Sequence, residues 1–407
     1  MRFFYSLFIR FYAHLIKGAS LFSKKAKLWH TGRKNIFLFL KEKCAEKQII
    51  WFHCASLGEF EQGKPLMEKI KQEDENVTLL VTFFSPSGFE VKKDDPIAEI
   101  ITYLPVDTPK NAKKFIRIVK PQKIFFIKYE FWYNYMYELS KAGIPFYYVS
   151  AIFRENQYFF KSYGKWFLKQ LKKCSYFFVQ NEKSKTLLQQ HGILNAIVTG
   201  DTRFDRVYAI AQQPYQLEFI NSFKAEKKLL VAGSTWQPDE KLLAELFSKI
   251  HSGYKLVIAP HLVEKNHIAQ IKKIFGSFST VCFSEKETKE ISNDEVLIID
   301  IIGLLSKIYK YADISYIGGA FKTGLHNILE AAVFEKPIFF GPYFQKFNEA
   351  VELVEQGAAF PVKNAAEMEH KMVCFKENPA FYEETCRICK KYVGRNLGAT
   401  GKIMAEL

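Results

Sequence analysis

The stretch WFHCASLGEFEQG, residues 51–63, sets a carboxylate, Glu59, directly behind an apolar run. Ile49, Ile50, Trp51 and Phe52 read as a parallel strand covered on both faces, and after a hinge at Gly58 the residues Glu61, Leu66, Met67, Lys69 and Ile70 begin a helical pattern. A strand-to-helix turn in a parallel sheet lies at the carboxyl edge, where ligands bind. The position equally suits an acidic residue that only favours the helix dipole. A second carboxylate, Glu130, lies with Trp132 and Asn134 in KYEFWYN (128–134), behind the strand-like KIFFI. It reads either as catalytic or as a structural carboxylate beside an Arg or Lys.

Three turns in the second half carry small and polar residues behind strands. AGSTWQPDE (232–240) would present Gly233, Ser234 and Thr235 at a helix start as a phosphate cradle, or as plain N-caps. IAPHLVEKNH (258–267) places His261 and Lys265 just past a strand. In IGGAFKTGLHNILEAAVFEKPIFFGP (317–342), Gly318 and Gly319 end a strand and Thr323-Gly324-Leu325-His326 makes a turn. Asn327 then opens a helix with Glu330 in its first turn, an arrangement suited to a nucleotide's phosphate and ribose. No GxxxxGK[ST] is present, which excludes a P-loop.

The elements needed to position these residues alternate regularly. Strand-like runs at 49–54, 77–83, 123–128, 145–150, 175–180 and 196–199 are separated by amphipathic segments such as 62–72 and 157–173. After a polar connection at 201–227 the alternation resumes at 229–234, 255–260, 281–283, 296–300, 314–319 and 337–341. The pattern predicts two α/β halves with a ligand cleft between them, and a last segment, NLGATGKIM, that crosses back toward the first half.

The chain has 407 residues, 48% of them hydrophobic, and a formal charge of +15 that predicts an anionic partner. Residues 1–50 hold eleven Lys/Arg against Glu42 and Glu46, beside the aromatic, apolar run 2–23 that Arg10, His14 and Lys17 interrupt. This run is too charged for a clean spanning helix or a signal peptide, and suits a helix lying in a membrane interface. An ordinary packed helix with a basic face is the alternative. The placement of charge favours an anionic membrane over nucleic acid, and no nucleic-acid module is recognised. Seven scattered cysteines suit a reducing compartment rather than a disulfide framework, and Cys386 and Cys389, in a helical context, lack a second ligand pair for zinc.

Taken in order, HCASLGEFEQG, FFSPSG (83–88), YLPVDTP (103–109), YEFWYN, VTGDTRFD, AGSTW, ADISYIGG and GLHNILEAAVFEKPIFFGP resemble the Kdo transferases, the 3-deoxy-D-manno-octulosonate transferases of lipopolysaccharide synthesis. The resemblance runs from about residue 25 to the C-terminus. It implies an α/β glycosyltransferase-B fold of two Rossmann-like domains facing a central cleft, CMP-Kdo as donor, lipid IVA as acceptor, no cofactor or metal, and attachment to the cytoplasmic face of the inner membrane. The implied layout is a membrane-associated helix at 1–24, an acceptor domain at 25–205, a linker at 206–228, a CMP-Kdo domain at 229–385 and a returning segment at 386–407. Glu59 matches the family's catalytic base and Glu130 a second active-site carboxylate. The resemblance assigns Ser234, Thr235, His261, Gly319, Asn327 and Glu330 to the donor, and Ser85, Ser87 and Lys128 to the acceptor. Lys128 replaces the first Glu of an E-x-E-x-W-x-N pattern, and His261 stands where the family carries a phosphate-binding Arg. Another glycosyltransferase-B enzyme with a different donor, or a membrane-associated binding protein without turnover, are the alternative readings.

Overall fold

The computed structural model describes residues 1–285, 291–322 and 324–407, so Thr323 of the expected turn lies outside the described residues. Residue contacts divide the chain into two units: Met1–Arg206 with Leu397–Leu407, and Val207–Asn396.

The first unit holds β1 (Ile49–Cys54), β2 (Thr78–Phe83), β3 (Ile100–Tyr103), β4 (Lys123–Ile127), β5 (Phe146–Ala151), β6 (Tyr176–Val179) and β7 (Ala196–Val198). They form a parallel sheet in the order β3-β2-β1-β4-β5-β6-β7. Alternation along β1 sends Trp51 into the core on one face and Phe52 into the core on the other. The high aromatic content serves these layers. Phe52, Phe125 and Tyr147 stack in succession at 4.8 and 5.2 Å, and Phe126, Tyr148 and Phe177 do so at 5.2 and 5.3 Å.

The second unit holds β8 (Lys228–Thr235), β9 (Tyr254–Pro260), β10 (Thr280–Cys282), β11 (Val296–Ile298), β12 (Ile314–Ile317), β13 (Ile338–Phe340) and β14 (Ala359–Pro361). Their order is β10-β11-β9-β8-β12-β13-β14, again parallel. In each sheet the order reverses beside the unit's first strand, between β1 and β4 and between β8 and β12. These are the switch points where a doubly wound sheet leaves room for a ligand.

Two strands, β3 and β14, escape the sequence pattern. The region 201–227 is more ordered than its composition suggests, with helices at Thr202–Gln212 and Glu218–Lys224. The segment 157–173 is not one helix but two 3-10 turns followed by Lys165–Leu171.

At the N-terminus, α1 (Arg2–Ala19), α2 (Lys24–Thr31) and α3 (Ile36–Lys43) pack on the first unit. One face of α1 is tied down: Arg2 donates to Asn134 and Glu138, and Tyr5 donates to the buried Asp107 at 2.7 Å. The other face leaves Phe3, Phe4, Leu7, Phe8, Phe11 and Leu15 exposed. No helix among the described residues is long and apolar enough to cross a membrane. The last helix, Ala399–Met404, packs against α4 (Leu57–Glu73).

Candidate active site

Ser56 caps α4, its hydroxyl accepting the Glu59 N–H at 3.4 Å, so the helix begins at Leu57 and Glu59 sits in its first turn. Gly58 is therefore a helical residue rather than a hinge, and a Cβ added there meets nothing. Glu59 turns back on the end of β1, where its carboxylate accepts the Ala55 N–H at 2.5 Å. Burial, then the Glu130 charge, push Glu59 up to about 8, while the Ala55 N–H and the Lys128 cation pull the other way.

Glu130 follows β4, the neighbour of β1 across the switch point. Its Oε2 lies 3.2 Å from His53 Nε2 and accepts the Trp132 indole N–H at 2.8 Å. The fully buried His53 has its Nδ1 2.8 Å from the Thr82 hydroxyl, which in turn accepts the Trp51 indole N–H at 2.7 Å. His53 Nδ1 also lies 3.0 Å from the Thr82 carbonyl and the Trp132 indole nitrogen lies 3.0 Å from His53 Nε2, so His53, Thr82, Trp132 and Glu130 form one linked cluster. Glu130 is held by an imidazole and an indole.

Lys128 has a left-handed backbone, φ 67°, rare for a long side chain and here held by its N–H bond to the Val149 carbonyl at 2.9 Å. Ser85 donates its N–H to the Ala55 carbonyl at 2.8 Å, joining the β2 turn to the β1 turn, and its hydroxyl lies 2.8 Å from that of Ser87. Gly88 is needed in this join, because a Cβ would stand 2.9 Å from the Leu57 nitrogen. The first unit therefore gathers Glu59, Glu130, Lys128, Ser85 and Ser87 at the carboxyl edges of adjoining strands.

The expected donor residues fall into two groups. Thr235 is buried in β8 and donates to Glu240, and the Gly319 N–H donates to the buried Asp239 at 3.0 Å. Asp239 also accepts the Trp236 N–H at 2.9 Å, an acid cap at the start of the helix Gln237–Ile250. Asn327 donates to Glu330 at 3.0 Å, but the helix there starts at Leu329 and has only four residues. Ser234 ends the β8 run with φ 54°.

His261 has stacking partners that went unnoticed in the sequence. Its ring lies on Trp236 at 4.8 Å and on His326 at 4.5 Å, and the Trp236 indole points its N–H at His326 Nε2, 3.2 Å away. Burial, then His261, lower His326 to about 4, and burial, then His267, lower His261. Where the family carries an Arg, position 261 holds a stacked imidazole that burial disfavours in its charged form. Trp236 and His326 both lie inside the quoted stretches AGSTW and GLHN, yet only the fold shows that their turns meet.

Residues 31–206 match the family described as 3-deoxy-D-manno-octulosonic-acid transferase. A 3-deoxy-D-manno-octulosonic acid transferase of Aquifex aeolicus is 27% identical over 333 residues, which cover 80% of this chain and 85% of that one. The chain is similar to the Kdo transferases over most of its length. A bifunctional glycosyltransferase/methyltransferase of Fusobacterium nucleatum is 25% identical over 83% of this chain, which spans 55% of that relative's length. A glycosyltransferase from Rickettsia africae shares the fold at TM-score 0.59 and 14% identity, covering 88% of this chain and 97% of that one. The two parallel-sheet units are those of glycosyltransferase-B folds, and the similarity to Kdo transferases indicates a glycosyltransferase.

Proposed function

We propose that the chain transfers Kdo from CMP-Kdo to lipid IVA, the lipid A precursor, at the cytoplasmic face of the inner membrane, with Glu59 as the base. The observation that carries this reading is the carboxylate pair at the switch point of the first sheet. Burial and the Glu130 charge make Glu59 a stronger base than a solvated carboxylate, and Lys128 keeps its ionised form accessible. Glu59 takes the proton from the attacking sugar hydroxyl as that oxygen bonds to the anomeric carbon of Kdo. The bond from that carbon to the CMP phosphate oxygen breaks, and CMP leaves as an anion with the electron pair. Glu130, fixed by His53 and Trp132, holds the field around the base.

On the second unit we assign the nucleotide to Ser234, the Trp236–His261–His326 stack and the Asn327–Glu330 pair. Aromatic and imidazole faces offer stacking, and the amide and carboxylate offer hydrogen bonds to hydroxyls. Ser85, Ser87 and Lys128 are assigned to the acceptor, where Lys128 and the serine hydroxyls suit a phosphorylated sugar.

The test is transfer by purified protein, with CMP-Kdo generated in situ and lipid IVA as acceptor, read by mass spectrometry of the lipid. A mass gain of one or more Kdo units supports the reading. An unchanged lipid, with donor supply and folding verified, or a gain only with a different nucleotide sugar, overturns it.

A further inference from the structure

Away from the carboxylate pair, α1 and α2 border an open cavity of about 270 Å³ in the first unit, lined among others by His14, Lys17, Trp29, His30, Arg33 and Lys34. No carboxylate lines it. Arg33 spends its donors on three carbonyls, those of Trp29, Phe84 and Leu104, and its guanidinium lies 4.0 Å from the Trp29 ring centre. Burial lowers it to about 9, so it stays charged at pH 7, yet no carboxylate among the described residues pairs with it. A largely buried cation without a counter-charge is costly. Trp29, only 5% exposed, has an indole N–H with no acceptor. Buried donors are rarely left so.

We propose that this cavity binds the phosphate of an anionic membrane lipid headgroup. A phosphate supplies both missing parts, a negative charge for Arg33 and an acceptor for the Trp29 N–H, and Lys17 and Lys34 add two flexible cations at the rim. The lipid source follows from position. The cavity borders α1, whose exposed Phe8, Phe11 and Leu15 provide an apolar surface for acyl chains beside a headgroup. The assignment does not depend on Kdo transfer, so a chain that fails the transfer assay can still pass the test below.

The probe is soluble glycerol phosphate, the headgroup fragment of phosphatidylglycerol, titrated calorimetrically into the full chain. A soluble probe is chosen because it is free of the diffuse field of a charged bilayer. Lys17→Ala/Lys34→Ala is expected to weaken binding by about tenfold or more, while Lys24→Ala/Lys25→Ala, of equal charge but outside the cavity, stays within about twofold. Trp29→Phe, which removes the indole N–H with no change of charge, is expected to weaken it about threefold or more. Glycerol phosphate is also expected to displace the chain from phosphatidylglycerol vesicles. Equal losses in the two lysine pairs, or vesicle binding without any binding of the probe, would show diffuse attraction only and overturn the assignment. Inorganic phosphate that fills the cavity without changing vesicle affinity would make it a free-anion site, and the lipid assignment falls. The lysines are exposed, so their variants are expected to fold.

Discussion

At the residue scale, the proposed role of Glu59 as base ties transfer to pH through its two charged neighbours, Glu130 and Lys128. Because Glu59 is raised to about 8, the fraction ionised grows as pH rises through that value, and kcat/KM is expected to climb along an acid limb centred there. Lys128→Met removes the cation that lowers Glu59, so the limb moves to higher pH; an unmoved limb would detach Lys128 from the base. Glu59→Gln is expected to keep donor affinity and lower kcat by ~10²–10⁴-fold. It also bears on stability. A carboxyl raised in the folded state favours folding fully below its unfolded value and loses that contribution as pH rises through about 8. Glu59→Gln should therefore raise Tm at pH 9 more than at pH 5, by ~2–4 °C for each kcal/mol relieved. The position of Glu59 was legible from an apolar run meeting Ser-Leu-Gly-Glu. The His53–Thr82 support of Glu130 was not, since it joins β1 to β2 through side chains 29 residues apart.

At the element scale, the stretches that carried the family resemblance do two different jobs. Asp107 of YLPVDTP and Asn134 of YEFWYN form one buried cluster with Tyr5 and Ser6, so both stretches anchor α1 as well as shaping the edge of the sheet. Asp205 of VTGDTRFD accepts the N–H groups of Gly398 and Thr400 and the Thr400 hydroxyl, each at 2.7 Å, and so fastens the returning helix. Asp205→Ala is expected to destabilise the first unit by ~1–3 kcal/mol. Hydrogen exchange should show the loss first in Leu397–Leu407, and unchanged protection there would rule out the anchor. Long apolar runs made most strands readable. Ala359–Pro361 ends in a proline and lacks the apolar run that marks the equally short Val296–Ile298, and the helices of 202–224 hide behind a polar composition.

At the scale of the whole molecule, the excess of basic residues and the bare face of α1 act together. If α1 lies in a membrane interface, Phe8→Ser and Phe11→Ser should each reduce partition into anionic vesicles by about tenfold or more, since burying a Phe side chain is worth ~1.5–3 kcal/mol. Added salt should weaken the wild type by screening the lysines, without restoring the variants. Partition that ignores both substitutions would leave α1 as an ordinary packed helix. The division of the chain carries a last consequence, for synthesis. The whole of Val207–Asn396 is translated between the two parts of the first unit. At ~5–20 residues per second the ribosome needs roughly ten to forty seconds to cross that stretch, during which the half bearing Glu59 waits without the helix that covers α4. A nascent chain interrupted in that interval carries its carboxylate pair on an unfinished body, open to proteases before the first unit is complete.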